Sequence, residues 1–143
     1  MFRLTMILTG LLMLAACGPV PGGTLAGEQS ATPGSWRDVM GDTKICEIQS
    51  RPAEPHSIQL ECFLFEDKLH VQSHRWVNAS WWPGTSWALI WQQHPFVTVR
   101  LDAALYALQA LPVAEPARRA KILSFRQYDS PPDGILVFEL RPL

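Results

Sequence analysis

Two runs of alternating polar and apolar residues place the strongest constraint on the fold of this chain. They are TKICEIQSR, residues 43–51, and SIQLECFLF, residues 57–65, and the short segment between them contains two prolines. Alternation with a period of two is typical of strands, and proline favours a turn, so the runs predict an antiparallel hairpin. A turn centred on Glu54 would make Cys46 and Cys62 direct cross-strand neighbours, with Cβ atoms roughly 4.5–5.5 Å apart.

The N-terminus has the order of a secretory signal. Arg3 precedes an apolar run over residues 4–14, and the small residues that follow end at Cys17. The run is too short to span a bilayer. Its end, LAAC, resembles the lipobox of bacterial lipoproteins, in which cleavage leaves the cysteine as a lipid-modified N-terminus. The resemblance implies acylation of Cys17, for instance with palmitate, and the alternative is an ordinary signal peptide with an incidental cysteine.

This interpretation predicts three parts of the chain. Residues 1–16 form the signal peptide, residues 17–35 the lipidated cysteine and a flexible linker, and residues 36–143 a single domain. The linker prediction rests on GPVPGGTLAGEQSATPGS, which is rich in glycine and proline and has no aromatic residue. A coil of this length has a root-mean-square reach of roughly 23 Å. The expected location is the bacterial cell envelope, on the periplasmic side, and Gly18 after the cysteine implies the outer membrane where there are two membranes.

Export also determines what the other two cysteines are expected to do. A pair of thiols in an oxidising compartment usually forms a disulfide, so Cys46 and Cys62 are predicted to be bonded. A redox or metal-binding role is the alternative, but the chain has no CxxC spacing.

Further runs predict a strand over residues 69–73, a short helix over 87–94 and a strand over 96–101. Residues 101–113 are either strand or helix, and a second helix over 115–125 and a closing strand over 135–140 follow. Thr85 or Ser86 is expected to cap the first helix and Pro95 to end it. The second helix begins with an acidic residue and a proline, which favour a helix start.

Five of the six tryptophans lie in HRWVNASWWPGTSWALIW, residues 74–91. Trp87, Ile90, Trp91 and His94 are spaced to share one helical face, which predicts that the helix covers an open end of a sheet. Bulky rings are the anchors that a domain of this size needs, so core packing is the preferred interpretation. The alternative places one or two of the rings at a cleft as stacking surfaces.

Charge and motifs exclude several classes of function. Twelve basic and thirteen acidic side chains leave a net charge of −1, and no basic stripe is present to neutralise phosphates, so nucleic acid is not an expected partner. His70 and His74 would stand roughly 13 Å apart on a strand, too far to share a metal ion. No catalytic motif is found, and no metal site or catalytic residue is predicted.

The order of elements resembles the split β-barrel of the pyridoxamine-phosphate-oxidase-like flavin and deazaflavin proteins. The matching pieces are Lys68 to Ser73, the step His94-Pro95, and Tyr106 to Val113. The resemblance implies an α+β, mainly β fold: a small split β-barrel-like domain of about six antiparallel strands with two short helices, after the signal peptide and linker.

The same resemblance implies a cleft between the end of one strand and the start of the first helix. Its residues would be Ser73, Arg75, Trp76, Thr85 and Trp87. Family members that bind a cofactor place lysine or arginine at the helix start, where this chain has Thr85, Ser86 and Trp87. FMN or a deazaflavin is therefore not assured. In the competing account Trp87 and Trp91 are buried and there is no cleft.

Two functions stay open at this point. One is a membrane-anchored, non-catalytic module that binds a ligand or a protein, and the other is a flavin- or deazaflavin-dependent oxidoreductase. The expected partners are the membrane, through the lipid anchor, and a protein, a small planar ligand or a second copy of the chain.

Overall fold

A computed structural model describes residues 22–50, 54–73, 86–130 and 134–143 of the chain. The described residues form seven strands and three helices. In chain order they are β1 (Glu28–Gln29), α1 (Trp36–Met40), β2 (Thr43–Ser50), β3 (His56–Phe65), β4 (Lys68–Gln72), α2 (Trp87–Gln93), β5 (Phe96–Leu101), β6 (Ala104–Pro112), α3 (Pro116–Phe125) and β7 (Val137–Pro142).

Six of the strands close into an antiparallel barrel. Their order around the barrel is β6, β5, β2, β3, β4 and β7, and β7 pairs with β6 again. The remaining strand, β1, pairs in parallel with the first two residues of β6. The prediction of a small, mainly β domain with a barrel of about six antiparallel strands is therefore confirmed.

The barrel has two ends, each close to a short helix. We call the end where β2 begins at Thr43 the α1 end, because α1 precedes it, and the end where β2 stops at Ser50 the hairpin end. Thr98 of β5 pairs with Gln49, so β5 begins near the hairpin end and α2, which precedes β5, lies there. Trp36 and Met40 of α1 and Ala88 and Trp91 of α2 belong to one core with the inward side chains of the strands.

A second, smaller core lies outside the barrel, beneath α3. Its buried members come from β3, α3 and the chain around β7: Phe63, Phe65, Ile122, Leu123, Ile135 and Val137. Strand β3 therefore buries side chains on both faces, which explains the unbroken apolar run Cys62–Phe65 where a half-exposed strand would alternate.

The register of the β2–β3 hairpin differs from the prediction. Cys46 faces Leu60, and Cys62 faces Lys44, so the expectation that the two cysteines are direct cross-strand partners is wrong. The connection between Ser50 and His56 is centred one residue before Glu54. A shift of one residue at the turn moves each cross-strand partner by two positions, which keeps each side chain on its own face.

Within residues 101–113, which the sequence left open between strand and helix, Leu101 ends β5 and Ala104–Pro112 form β6. Alanine and leucine favour a helix locally, but β5 and β7 supply hydrogen-bonding partners on both edges of this segment. Helix α2 has Ser86 as its N-cap, as predicted, whereas His94 at the end of the proposed apolar face is exposed. Helix α1 was not predicted.

The predicted linker is partly attached to the barrel. Residues 17–21 lie outside the described residues. Residues 22–30, which we call the strap, run along the outside of the barrel from the hairpin end to the α1 end. Gly22 exchanges two backbone hydrogen bonds of 2.8 Å with Ser57, and Glu28 donates one of 2.9 Å to the carbonyl of Ala103. Among the described residues, contacts with the barrel therefore begin at Gly22, ahead of Trp36.

Candidate functional site

The predicted disulfide between Cys46 and Cys62 is present. The two Cα atoms are 5.9 Å apart, and both residues are buried, with exposed fractions of 1% and 0%. The cysteines are diagonal neighbours on adjacent strands, a relation that ordinarily leaves side chains about 7–8 Å apart. The strong twist of a closed barrel brings one diagonal closer, which allows the bond without direct pairing.

Of the five residues predicted to line a cleft, Ser73 and Trp87 are described. Ser73 is buried and belongs to the hydrogen-bonding pattern of the barrel wall. Its hydroxyl accepts a hydrogen bond of 2.8 Å from the backbone N–H of Leu136, and its own N–H donates to the carbonyl of the same residue at 2.8 Å. These contacts hold β4 to the segment that leads into β7.

Trp87 is half-buried and packs against the barrel core. Its ring centroid lies 4.5 Å from that of Trp91 and 6.0 Å from that of Phe138. Trp91 is fully buried, and its indole N–H has no hydrogen-bond partner among the described residues. These contacts agree with the account in which the helix covers one end of the barrel. The remaining cleft residues, Arg75, Trp76 and Thr85, lie outside the described residues, as do His74 and Cys17.

An open depression lies on the outer surface near the α1 end. It has a volume of about 340 Å³ and is lined by Asp42, Thr43, Phe125, Arg126 and Gln127. We call it the α3 depression, because three of its residues come from the end of α3 and the turn after it. The ring of Phe125 is 57% exposed, so an apolar surface and charged groups meet at this site.

Arg126 is held in place at the floor of the α3 depression. Its guanidinium lies 4.4 Å from the centroid of the Phe63 ring, and it forms an ion pair with Glu61 and donates to the side chain of Gln72 at 3.3 Å. Glu61 faces Ile45 across the β2–β3 hairpin, and Ile45 is 61% exposed. Ile45 is thus a second exposed apolar side chain, on the same face of the hairpin as Glu61.

Ion pairs connect the helices to the turns at the α1 end. Arg37 of α1 pairs with Asp42 and, at 3.0 Å, with Asp67. Glu66 accepts hydrogen bonds from Lys121 and Arg118 of α3, and these bonds lower the pKa of its carboxyl. Because the groups are exposed, each pair contributes little to stability, but together they set the positions of α1 and α3 around the depression.

His70 is the most deeply buried titratable group beneath α3, with an exposed fraction of 0%. Its ring is stacked at 5.7 Å on that of Phe63 and lies 6.0 Å from that of Phe65. Nδ1 is 2.8 Å from the carbonyl oxygen of Lys68, so it carries the proton, and Nε2 has no hydrogen-bond partner in the described part of the chain. Burial lowers the pKa of this imidazole, which keeps it neutral at neutral pH.

The described residues include neither a cluster of metal ligands nor a membrane-spanning helix. No group of three or more histidine, cysteine, aspartate or glutamate side chains among them is arranged to hold a metal ion. No helix that they form has both the length and the apolar character needed to cross a membrane. No protein-family model matches the chain, and no curated protein matches it either.

The sequence analysis missed the α3 depression, although one signal for it is present. At 100° per residue, Phe125 lies about 110° around α3 from the centre of the face formed by Ile122 and Leu123. Both of those residues are fully buried. A large aromatic side chain so far from the buried face of a short helix indicates an exposed apolar surface.

Proposed function

We propose that this protein is an exported, lipid-anchored module of the cell envelope that binds a protein partner at the α3 depression without catalysing a reaction. Cys17 carries the anchor, and the barrel presents the depression. The partner contributes an apolar side chain that packs on Phe125 and polar groups that meet Asp42 and Arg126.

The observation that carries this proposal is the contrast between the interior and the surface of the barrel. Inward side chains from the strands, α1 and α2 pack into one apolar core. The two described cleft residues, Ser73 and Trp87, contact this wall and core. The exposed ring of Phe125 lies instead outside the barrel, at the α3 depression, together with the exposed Asp42 and the half-buried Arg126. Exposed apolar side chains rimmed by polar groups are typical of protein-binding surfaces.

The disulfide supports the part of the proposal that states that the protein is exported. Bonded cysteines persist in oxidising compartments and are rare in the cytosol. The Cys46–Cys62 bond lies inside the core of the hairpin, where it acts as a structural cross-link.

Photo-crosslinking in intact cells tests the binding surface, and the chain offers a matched control. Phe125 and Phe96 are both 57% exposed, but Phe96 begins β5 near the hairpin end. Benzoylphenylalanine at position 125 should yield a discrete protein adduct, whereas the same substitution at position 96 should not. Adducts at both positions, or at neither, would contradict the proposed site.

A ligand titration distinguishes this proposal from the alternative, a flavin- or deazaflavin-dependent oxidoreductase. FMN and a deazaflavin are titrated while tryptophan fluorescence is recorded for the wild-type protein and for Arg75→Ala. The proposal predicts no saturable quenching at millimolar ligand. Saturable quenching that Arg75→Ala abolishes, or a yellow purified protein, would favour the oxidoreductase.

A further inference from the structure

We propose that the strap holds the barrel in one orientation on the lipid bilayer, with the hairpin end toward the lipid headgroups and the α1 end away from them. The inference rests on the proposed anchoring at Cys17, and it adds the face of the protein that meets the membrane.

The first step is the length of chain between the anchor and the barrel. Gly22, the first of the described residues and bonded to the barrel, follows Cys17 by five residues, and five residues span at most about 18 Å when fully extended. If the barrel began at Trp36, the free segment would span up to about 65 Å. The strap thus removes most of the freedom that a linker over residues 17–35 would allow.

The second step is the place where the short segment reaches the barrel. Gly22 pairs with Ser57, and Ser57 faces Gln49 near the end of β2. Thr43, at the other end of β2, lies six residues back along the strand, a distance of about 20 Å. The anchor is therefore attached at the hairpin end, and the α1 end lies about one barrel length further from the lipid.

The third step is the attachment of the strap along its length. The N–H of Leu25 donates to the side-chain oxygen of Gln49 at 2.7 Å, and the guanidinium of Arg100 donates to the carbonyl of Ala26 at 2.8 Å. Arg100 is itself paired with Glu47. Together with the pairing of β1 and β6, these bonds attach the strap to four strands of the barrel.

Two glycines of the strap differ in a way that allows a matched test. A Cβ atom on Gly27 would lie 2.6 Å from the backbone oxygen of Ala103, whereas a Cβ atom on Gly23 would meet nothing within 4 Å. Gly27→Val therefore forces the strap away from β6. Gly23→Val adds the same side chain and leaves the strap in place.

The orientation has a consequence for the proposed function. Asp42 and Thr43 place the α3 depression near the α1 end. That end lies away from the lipid, so the depression is accessible to a partner in the aqueous compartment.

The test measures the distance of two surface positions from the bilayer. Full-length protein, purified from membranes with its lipid attached, is reconstituted into phosphatidylcholine vesicles that contain headgroup spin-labelled lipid. A fluorophore is introduced through a non-natural amino acid at Glu54, at the hairpin end, or at Asp38 of α1; both residues are exposed. This labelling leaves the disulfide intact.

The expected result is a larger loss of fluorescence at position 54 than at position 38. Gly27→Val should reduce this difference and Gly23→Val should keep it, with circular dichroism confirming that both variants are folded. Equal quenching of the two positions on vesicle-bound wild-type protein would overturn the orientation alone. A difference that Gly27→Val leaves unchanged would show that the bonds between Gly22 and Ser57 suffice, and would overturn the role of the attachment to β6. Failure of the wild-type protein to remain on the vesicles would overturn the anchoring and the orientation together.

Discussion

At the scale of single residues, His70 combines burial with a titratable group. The imidazole lies between two phenylalanine rings and faces Glu139 across the β4–β7 pair. Burial lowers its pKa from the ordinary value of 6.5, and the positive charges of Arg118 and Lys68 act in the same direction. The hydrogen bond to the Lys68 carbonyl and the charge of Glu139 oppose this shift without reversing it.

We expect His70 to make the stability of the domain fall in mild acid. Because the pKa of His70 is lower in the folded state than in the unfolded state, the unfolded chain binds the proton first as pH falls. The stabilisation is therefore complete above the ordinary histidine pKa and is lost below it, at up to about 1.4 kcal/mol per pH unit. Urea unfolding at pH 7.5 and 5.5 should show a smaller loss for His70→Phe than for the wild type.

The control for this experiment is His94→Asn. His94 is exposed, and its replacement leaves the buried imidazole in place, so this variant should keep the wild-type dependence on pH. An unchanged acid response in His70→Phe would assign the effect to other groups.

At the scale of secondary-structure elements, the first hairpin is the most strongly connected unit of the barrel. Strands β2 and β3 pair over eight residues, and the disulfide joins positions 16 residues apart in the chain. The cross-link restricts the unfolded chain more than the folded one, because the folded hairpin already holds the two cysteines close together.

Removal of the disulfide should therefore lower the free energy of unfolding without changing the fold. For a loop of this length the loss is about 3 kcal/mol by chain-entropy estimates. Chemical denaturation of the double variant Cys46→Ala, Cys62→Ala, compared with the wild type, measures it. Mass spectrometry of non-reduced wild-type protein should find neither thiol free to react with an alkylating agent, and two reactive thiols would contradict the bond.

At the scale of the whole molecule, the strap joins the proposed anchor at Cys17 to the hairpin end of the barrel. Short helices close to both ends of the barrel contribute to its core, and α3 covers one side with a second core. The α3 depression is formed where α3 meets the turn before β2. The proposed binding site and the proposed membrane attachment lie at opposite ends of the barrel.

We expect the lipid on Cys17 to be the main membrane attachment of the protein. Acyl chains contribute about 0.8 kcal/mol per buried methylene group, and more than one chain gives stable anchoring. Cys17→Ser should therefore move the protein from the membrane fraction to the soluble fraction after cell fractionation. Retention of Cys17→Ser in the membrane fraction would refute the anchor.

Residue patterns within short stretches of the sequence were enough to predict most of the strands and helices and several of their ends. Alternation predicted β2, β3 and β4, the run FVTVRL predicted β5, and the acidic residue before a proline predicted the start of α3. Glu115 does accept hydrogen bonds from the N–H groups of Ala117 and Arg118. These features depend on residues close together in the chain, so a short window of sequence contains the information.

The sequence was sufficient to predict the strands of the first hairpin and the bond between Cys46 and Cys62, because strand periodicity and cysteine content are local or compositional properties. The register of the first hairpin, the strand state of β6, the attachment of the strap and the formation of the α3 depression followed from the tertiary structure. Each of these depends on partners distant in sequence: β6 is a strand because β5 and β7 bind its edges. Likewise, residues 22–30 are ordered by bonds to β3, β2, β5 and β6, which a short segment with three glycines does not supply within itself.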